Sequence, residues 1–555
     1  NTAVGFEALY SNKSGNKNTA IGTETLANNT GNNNTAIGHQ SLYTNTTGYQ
    51  NTGVGVKTLY ANTTGFNNTA SGFESLHNNN TGFNNTASGY QSLNKNTTGI
   101  SNTATGHKSL KNNEKGNNNA AHGNSSLESN TTGSHNTAMG DSSLQSLTSG
   151  SYNTAVGNLS LNKSTTSYYN TAVGNKSLKS LTSANSNTAV GNESLFSNTT
   201  GYNNSALGDK SLYYNTSGYG NQGFGYNTLY NNTTGYNNTS SGYRALYRNT
   251  TGYYNSSLGF NSLNLNTIGA HNTSIGANSL KNNKFGSTNT AIGTSSIFNL
   301  VVGNNNTAVG YETLYNNKTR NNTAIGAQSL YSNTTGTGQV ASGFQTLYYN
   351  TTGCYNTAQG YQAMYNNISG NQNAALGYKA LYYNKSGKQN VAISPFALYN
   401  NTSGVENLAI GAQSLYYNTS GNSHVAVGHQ SMFSNTTGTS NTAVGHKTLY
   451  SNTTGRQNTA VGQNSMYSNT TGSVNVTLGT STLRNNKRGC FNTAIGHQTL
   501  YYNTTGSRNT GVGHNSLFMN NQGYQNVAVG DKTLYYNQSG KQNVAISPFA
   551  LYNNT

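Results

Sequence analysis

Hydrophobic and polar positions repeat every seventeen residues along the chain, in the line N-T-A-[VI]-G-x-x-S-L-Y-x-N-T-T-G-x-x. There are 32 complete copies, the first of which opens at Asn1, and a stub of thirteen residues opens at Asn543. Positions are counted from the opening asparagine, which is position 1. Only the copies that open at Asn18 and Asn306 are one residue short. A fixed period of this size is typical of a solenoid, in which each repeat stacks only on its neighbours.

Each copy contains two strand-like segments and two turns. The segment N-T-A-V-G is β-prone and ends in a glycine that can reverse the chain, while S-L-Y is followed by the turn-forming cluster N-T-T-G. Glycines at positions 5 and 15, together with β-branched residues, make a helix unfavourable. The pattern therefore predicts an all-β, rod-like parallel β-solenoid of about 33 coils with two short strands per coil.

Two positions identify the expected core by how little they vary between copies. Position 3 is always small, which indicates a close approach of another backbone. Position 9 is leucine with four apolar exceptions, so it is expected to face the core. Those exceptions are Ile297, Met364, Met432 and Met466.

Position 4 is usually Val, Ile or Leu and is therefore also predicted to belong to the core. Four consecutive copies carry Ser71, Ser88, Thr105 and His122 at this position. A rank of core residues that becomes polar in a block is expected either to hold water or to face a partner chain.

Two ladders of stacked side chains are predicted along the coils. The asparagine at position 1 should hydrogen-bond from coil to coil, as side-chain amides do in other stacked β-structures. Aromatic rings at position 10 should stack in ten successive copies and cover the apolar edge. These rings belong to Tyr315, Tyr331, Tyr348, Tyr365, Tyr382, Tyr399, Tyr416, Phe433, Tyr450 and Tyr467.

The uniform composition of the chain argues against the several domains that its length would suggest. A chain of 555 residues would ordinarily form three or four domains, but no change of composition interrupts the period. Residues 1–555 are therefore interpreted as one uninterrupted repeat region. Only 32% of the residues are hydrophobic and 7% are charged, which suits a narrow, long core. With neither an initiator methionine nor atypical terminal repeats, the sequence is expected to be a segment of a longer chain that carries the caps elsewhere.

The net charge of +17 comes from dispersed basic residues. Nucleic-acid-binding proteins concentrate Lys and Arg in runs or stripes, so nucleic acid is not an expected partner. The charge is interpreted as solubilising, with contact to anionic polysaccharide as the alternative. No apolar run is long enough to cross a membrane.

The two cysteines occupy the same repeat position, eight coils apart, at Cys354 and Cys490. At about 4.8 Å per coil they would lie roughly 38 Å apart, far beyond the ~7 Å limit for a disulfide. We therefore expect them to be free or to bond to a neighbouring chain.

The triplet Asn-x-Ser/Thr, which accepts N-linked glycans in secreted proteins, recurs at position 12 on what should be an exposed turn. Turn chemistry alone explains the same residues, so both interpretations stay open. A second series crosses the copy boundary, as at Asn67 and Asn84. The candidate glycosylation sites at position 12 are Asn45, Asn62, Asn96, Asn130, Asn198, Asn232, Asn249, Asn333, Asn350, Asn435, Asn452, Asn469 and Asn503.

The sequence gives little support for a catalytic or metal-binding site. His429 and His446 are one coil apart, as are His497 and His514, but two histidines without a third ligand make a poor metal site. The 11 acidic residues are dispersed, and no Ser/His/Asp set stands apart from the repeat. We expect no enzyme activity, no metal and no cofactor.

The motif N-T-A-V-G-x-x-S resembles the head repeats of trimeric autotransporter adhesins, N-S-V-A-I-G-x-x-S. Longer N-T-A-I-G-x-x-[SA]-L-Y-x-N-T-T-G arrays, similar to this one, occur in phage and virus tail-fibre-like and other extracellular fibre proteins. The adhesin resemblance implies a left-handed β-roll, of which three can pack around one axis to bind host surfaces. The extra N-T-T-G turn makes this coil longer than the adhesin one.

These patterns favour an extracellular structural fibre, displayed at a cell or virion surface and built by self-association, with a trimer among the implied assemblies. The alternative is the shaft of an adhesin or tail fibre that binds glycans or host surfaces. Ice binding, which needs flat threonine ranks, is less favoured because only position 2 supplies such a rank.

Overall fold

The structure is a computed structural model that describes residues 1–554 and confirms a parallel β-solenoid. Each copy of the repeat forms one coil, and each coil contributes a three-residue strand at positions 2 to 4. Contacts between residues divide the chain into two units, Asn1–Thr273 and Ser274–Thr555. The hand of the coil stays a prediction.

In the first unit, each strand pairs in parallel with the strands of the coils before and after it. Equivalent residues lie opposite one another, as Val54 lies opposite Ser71. The strands are β1 (Thr2–Val4), β2 (Thr19–Ile21), β3 (Thr35–Ile37), β4 (Thr52–Val54), β5 (Thr69–Ser71), β6 (Thr86–Ser88), β7 (Thr103–Thr105), β8 (Ala120–His122), β9 (Thr137–Met139), β10 (Thr154–Val156), β11 (Thr171–Val173), β12 (Thr188–Val190), β13 (Ser205–Leu207), β14 (Gln222–Phe224), β15 (Thr239–Ser241) and β16 (Ser256–Leu258).

The second unit has the same parallel pairing and register, as between Thr442 and Thr459. The remaining strands are β17 (Thr273–Ile275), β18 (Thr290–Ile292), β19 (Thr307–Val309), β20 (Thr323–Ile325), β21 (Val340–Ser342), β22 (Thr357–Gln359), β23 (Ala374–Leu376), β24 (Val391–Ile393), β25 (Leu408–Ile410), β26 (Val425–Val427), β27 (Thr442–Val444), β28 (Thr459–Val461), β29 (Val476–Leu478), β30 (Thr493–Ile495), β31 (Thr510–Val512), β32 (Val527–Val529) and β33 (Val544–Ile546).

The second predicted strand, around S-L-Y, is wrong: positions 6 to 11 form turns. Positions 7 and 9 have left-handed backbones, with φ of 51° at Glu74 and 50° at Leu76, and this alternation curls the segment. Its amides still bond to both neighbouring coils. The Leu76 amide donates to the Ser92 carbonyl at 2.9 Å, and the Gln91 amide donates to the Phe73 carbonyl at 2.9 Å. Coil-to-coil hydrogen bonding therefore continues outside the strand.

The core is narrow and is filled in most coils by positions 3, 8 and 9 and by two asparagines. Leucine at position 9 is fully buried, as predicted, and so are its four replacements by isoleucine or methionine. Ala70 and Leu76 illustrate the apolar part, with exposures of 1% and 0%. The asparagines at positions 1 and 12 are buried beside them, and so is position 8, which is usually Ser or Thr. More than half of the core side chains in most coils are therefore polar and need partners.

The predicted asparagine ladder at position 1 is confirmed. The Asn68 amide donates to Asn51 Oδ1 at 3.0 Å, and its side-chain Nδ2 donates to the same oxygen at 3.1 Å. Asn68 Nδ2 also donates to the Gly82 carbonyl at 2.9 Å, near the end of its own coil. One side chain therefore closes its coil and joins it to the coil before.

A second asparagine ladder, at position 12, was not predicted. Asn79 Nδ2 donates to Asn62 Oδ1 at 2.7 Å and to the Gly82 carbonyl at 2.8 Å. The Gly82 carbonyl thus accepts from both ladders. A Cβ atom on Gly82 would overlap Asn79 Oδ1 and the Gly99 carbonyl, so this full-length coil has room only for glycine at position 15. In the short copy that opens at Asn306, Thr319 takes the equivalent place, and its carbonyl accepts from both ladders.

The copies that open at Asn136, Asn153 and Asn170 lack the second ladder, and we call residues 136–186 the substituted segment. Position 12 holds Leu147, Ser164 and Leu181 there, all buried. Position 15 becomes Ser167 and Ala184 in the last two of these copies.

The short copy that opens at Asn18 loses its residue in the turn after position 12. Asn29 Nδ2 reaches the Gly31 carbonyl, two residues ahead rather than three, at 2.9 Å. The ladder bond is kept although the turn is shorter.

Candidate functional site

Positions 2 and 4 of each strand point away from the core, so the predicted core placement of position 4 is wrong. In β3, Ala36 is buried while Ile37 is 38% exposed. Side chains alternate along a strand, and the small residue at position 3 takes the inward place. Ser71, Ser88, Thr105 and His122 therefore vary on the outside of the solenoid.

These two outward ranks, positions 2 and 4 of the strands, form what we call the strand face. Across all 33 strands, neither position holds Asp, Glu, Lys or Arg, and His122 is the only titratable residue. Most residues are threonine at position 2 and Val, Ile or Leu at position 4. A notch of about 180 Å³ beside Ala374 interrupts the face in β22–β24. The strands of each unit therefore present an uncharged and largely apolar surface, although the chain has a net charge of +17.

The predicted aromatic ladder at position 10 is confirmed from Tyr315 to Tyr467. Its rings stack at centroid distances between 5.0 and 5.3 Å, with planes within 18° of parallel. Each ring covers the faces of its neighbours. Inside the column only ring edges remain for other contacts.

Further aromatic columns were not predicted, although successive copies show them in the sequence. At position 16, Tyr49, Phe66 and Phe83 stack at 4.9 and 4.7 Å. A second column at the same position joins Tyr202, Tyr219, Tyr236 and Tyr253. Columns at position 6 join Phe73, Tyr90 and His107 in the first unit, and Phe344, Tyr361 and Tyr378 in the second.

Some copies carry a second tyrosine at position 11, outside the position-10 column. The Tyr383 ring stands at 83° to Tyr382 and at 80° to Tyr399, with centroids 4.7 and 5.2 Å away. The faces of Tyr382 and Tyr399 are already covered within the column, so their edges meet the face of Tyr383. The opposite face of Tyr383 is left free, and the residue is 41% exposed.

The hydroxyls of neighbouring tyrosines also interact in this arrangement. Burial, the charge of the Tyr383 phenolate and a side-chain hydrogen bond to Tyr383 raise the pKa of Tyr399 to about 12. Burial and Tyr349 raise the pKa of Tyr365 to about 12 in the same way. Both position-10 phenols therefore stay protonated at any physiological pH.

An open groove runs between position 11 and the turn at position 13, with a volume of about 550 Å³ in the second unit. Tyr383 and Tyr417 supply its aromatic surface. The hydroxyl-bearing wall is position 13, where Thr402 Oγ1 donates to the Thr419 carbonyl at 2.9 Å and keeps its lone pairs for other donors. The remaining lining residues are Lys385, Asn400, Thr419, Ser434 and Thr436. We call such sites tyrosine grooves.

The same kind of groove recurs elsewhere. In the first unit a groove of about 690 Å³ is lined by Tyr214, Thr216, Thr233 and Arg248, among others. A smaller one, of about 260 Å³, is lined by Tyr502, Thr504, Met519, Asn521 and Gln538 in the second unit. No acidic side chain lines any of the three.

The expectation that position-12 asparagines lie on an exposed turn is wrong. Each of the thirteen candidate residues, from Asn45 to Asn503, has an exposed fraction of 0%. The atom that would carry a glycan, Nδ2, instead donates inside the solenoid, as Asn96 Nδ2 does to Asn79 Oδ1 at 2.7 Å. A glycan on this atom would remove ladder bonds and require the coil to open, so folded coils do not offer these sites.

The second series of triplets lies differently. Asn67 and Asn84, at position 17, are exposed, and their backbones have φ of 55° and 58°. Surface asparagines of this kind are the ones that a folded coil leaves open to modification.

The paired histidines stack without forming a metal site. The rings of His429 and His446 lie 5.4 Å apart and within 7° of parallel, and those of His497 and His514 are 5.4 Å apart. Among residues 1–554, no group of three His, Cys, Asp or Glu side chains could hold a metal ion. The expectations of no metal, no cofactor and no catalysis stay predictions.

His424 replaces asparagine in the first ladder and is 1% exposed. The Asn441 amide donates to its Nδ1 at 3.2 Å, and its Nε2 lies 2.7 Å from the Gly438 carbonyl and 3.0 Å from Asn435 Nδ2. A neutral ring protonated at Nε2 satisfies the contacts to Asn441 and Gly438 but cannot accept from Asn435 Nδ2. Burial lowers the pKa of His424 to about 4.

Cys354 and Cys490 are both free thiols and partly exposed, which agrees with one of the two predicted states. Each donates locally, Cys354 to the Thr352 carbonyl at 3.4 Å and Cys490 to the Arg488 carbonyl at 3.3 Å.

No family model matches the chain, and no curated protein is significantly similar to it. In the part of the chain that the structure describes, none of the elements is a helix with the length and hydropathy to cross a membrane.

Proposed function

We propose that the protein is a structural subunit of an extracellular fibre, without catalytic activity, in which copies of the solenoid pack side by side through their strand faces. The observation that carries this proposal is the strand face itself. It holds no Asp, Glu, Lys or Arg in any of its 33 strands, although the chain has 39 such residues elsewhere. Large apolar surfaces of soluble proteins are commonly interaction sites.

A second copy of this chain is the partner that fits best. The strand face repeats once per coil, at about 4.8 Å, and a partner must share this spacing to keep its side chains in register over many coils. Another solenoid built from the same repeat has the same coil spacing. Two flat faces of threonine and valine can then pack as two β-sheets do in a sandwich, ~10 Å apart.

The available area is sufficient. A strand of three residues spans ~10 Å and neighbouring strands lie ~4.8 Å apart, so the sixteen strands of the first unit offer roughly 800 Å². A stable interface needs about that much from each partner. Two basic chains repel each other. Because the strand face carries no charged side chains, the positive charges of the two chains lie outside the contact.

The alternative function, a shaft that binds glycans, is supported by a different surface, the tyrosine grooves. The shared pentad of the adhesin head repeats is compatible with both functions, since those repeats form packed rolls that also bind host surfaces.

The test is the assembly state of the full chain, measured by light scattering and electron microscopy. We expect particles with masses that are multiples of 58.6 kDa, elongating into fibres as concentration rises. A sixfold variant places lysine on outward position 4 and should be monomeric, because like charges would face each other across the contact. Its substitutions are Val156→Lys, Val173→Lys, Val190→Lys, Val427→Lys, Val444→Lys and Val461→Lys.

A matched control adds the same six charges in the same coils, at the exposed position 14. Its substitutions are Thr166→Lys, Ser183→Lys, Thr200→Lys, Thr437→Lys, Thr454→Lys and Thr471→Lys. We expect the control to assemble like the natural chain. A natural chain that remains monomeric at high concentration, or equal loss of assembly in both variants, would contradict the proposal.

A further inference from the structure

We propose that the tyrosine grooves bind a linear, uncharged polysaccharide of β-linked hexopyranose units, with the position-11 tyrosines as stacking platforms. The proposal does not depend on assembly through the strand face, because the grooves lie on a different part of the coil. It also differs from sugar binding by the position-10 column, whose ring faces are covered by one another.

The platforms are rigid and open. Tyr417 stands at 79° to Tyr416 and at 86° to Phe433, which repeats the arrangement of Tyr383 two coils earlier. With one face supported by two ring edges and the other free, the ring is held before any ligand arrives, so little side-chain entropy is lost on binding. Tyr417 is 48% exposed. The C–H face of a hexopyranose is apolar and packs on such a ring, while its hydroxyls stay at the rim.

The spacing of the platforms favours a polymer. Tyr349, Tyr383 and Tyr417 follow one another at intervals of two coils, which is about 10 Å along the stack. Tyr349 has the same perpendicular contacts, at 83° and 84°. An extended β-1,4-linked chain presents the same sugar face again after each disaccharide, a length close to this interval. One chain lying along the groove can therefore stack on Tyr383 and Tyr417, which line it, and extend to Tyr349 two coils before them.

The other wall supplies hydrogen bonds. Thr402, Thr419 and Thr436 form a rank at position 13, and their hydroxyls donate to the carbonyl of the following coil. Their remaining lone pairs can accept hydrogen bonds from sugar hydroxyls, and the amide of Asn400 offers further polar atoms. Adjacent threonines are one coil apart, so such contacts recur along the whole groove.

The charges favour a neutral ligand. Lys385 is the single charged side chain of the groove at Tyr383, and Arg248 is the single one of the groove at Tyr214. The groove at Tyr502 has none. A site for an anionic polymer would need cations at each repeat of the ligand. The features that do recur, tyrosine and threonine, require no charge on the sugar.

The experiment is electrophoresis of the native full chain in gels that contain soluble neutral β-1,4-glucan, with cellohexaose titrated by calorimetry. We expect retardation of the natural chain that high salt does not remove. The triple variant Tyr349→Ala, Tyr383→Ala, Tyr417→Ala should lose at least about tenfold in affinity, since three aromatic contacts of ~0.5 kcal/mol or more each are removed. The matching triple Tyr-to-Phe variant keeps the platforms and should bind within about twofold of the natural chain.

A control removes three exposed tyrosines from the same unit but outside the groove, by Tyr355→Ala, Tyr361→Ala and Tyr378→Ala, and should bind normally. Hydrogen exchange of all variants shows whether the coils remain folded. Absence of retardation in the natural chain, or equal losses in the groove and control variants, overturns the proposal. Retardation only by polygalacturonate, abolished by salt or by Lys385→Gln, overturns the assignment to a neutral sugar.

Discussion

Coils with both asparagine ladders and the coils of the substituted segment solve the same packing problem in two ways. From Asn62 to Asn130, five successive position-12 side chains bond to the coil before and to their own glycine carbonyl. In the substituted segment, Leu147 and Leu181 fill that place with apolar volume. The first ladder continues through both regions, as Asn153 Nδ2 still donates to the Ser167 carbonyl at 2.8 Å.

At the boundary between the two regions, the end of the second ladder leaves a buried acceptor without a hydrogen bond. Asn130 Oδ1 is buried without a hydrogen-bond partner, because the next coil presents Leu147 instead of an asparagine amide. In two of the three coils of the substituted segment, Ser167 and Ala184 replace glycine at position 15, whereas Gly150 is kept beside Leu147. The second ladder is therefore exchangeable as a block while the first is kept.

The largest expected effect concerns the ladder that both regions keep. His424 interrupts it with a ring that must stay neutral, and its pKa is lowered to about 4 in the folded chain. Above pH 6.5 the ring is neutral in both states. As the pH falls from 6.5 to 4, the unfolded chain binds a proton that the folded chain resists, so stability is lost across this window, by about 3 kcal/mol at pH 4.

His424→Asn restores the ladder and should remove this pH dependence. Hydrogen exchange of the coils around residue 424, corrected for intrinsic rates and measured at pH 7 and pH 4.5, checks the expectation. An identical response of the natural chain and the variant to acid would show that another group is responsible.

The next effect tests whether glycine is required only where both ladders meet. Gly82→Ala places a methyl group against Asn79 Oδ1 and the Gly99 carbonyl and should destabilise its coils by about 3 kcal/mol. The reverse change in the substituted segment, Ala184→Gly, should cost only about 1 kcal/mol, from backbone entropy. Hydrogen exchange of the two regions measures both. Similar losses at the two sites would disprove the link between position 15 and the second ladder.

A smaller loss is expected when leucine is placed inside an intact ladder. Asn79→Leu removes two donated hydrogen bonds and leaves Asn62 Oδ1 and one hydrogen of Asn96 Nδ2 buried without this partner. The expected loss is about 2 kcal/mol, local to the adjoining coils. Leu181→Met, which changes only apolar shape, should cost less than about 1 kcal/mol. Equal protection against exchange in both variants would mean that the ladder bonds add nothing to stability.

The smallest effect concerns the surface columns. In the substituted segment, position 10 carries a polar pair, in which Asn162 Nδ2 donates to Gln145 Oε1 at 3.2 Å. Tyr382→Ala opens a stacked column and should cost about 1 kcal/mol, whereas Asn162→Ala should stay within about 0.5 kcal/mol of zero. Hydrogen-exchange rates of the flanking coils measure both losses of stability. A larger loss for Asn162→Ala than for Tyr382→Ala would contradict the prediction.

The period, the leucine core and the first ladder could be predicted, because each depends on one invariant residue type at one position. Position 4 could not, because its assignment rested on apolar character, and the short strand leaves apolar residues outside. The burial of position 12 was missed because Asn-Thr-Thr-Gly suits an exposed turn equally well. The contrary signal was present in Leu147, Leu181 and Leu300, since an exposed turn asparagine is rarely exchanged for leucine. The tyrosine platforms needed ring orientations, which the sequence does not contain.

The short turn of the copy that opens at Asn18 has a practical consequence. Since Asn29 keeps its bond to Gly31 with one residue fewer, the segment between position 12 and the following glycine tolerates the loss of one residue without disturbing the register of either ladder. We therefore expect this segment to be the part of the coil that best accepts an inserted epitope, fluorophore-binding peptide or reactive cysteine. Such insertions, one per coil, would turn the solenoid into a ruler that displays chosen groups at multiples of about 4.8 Å.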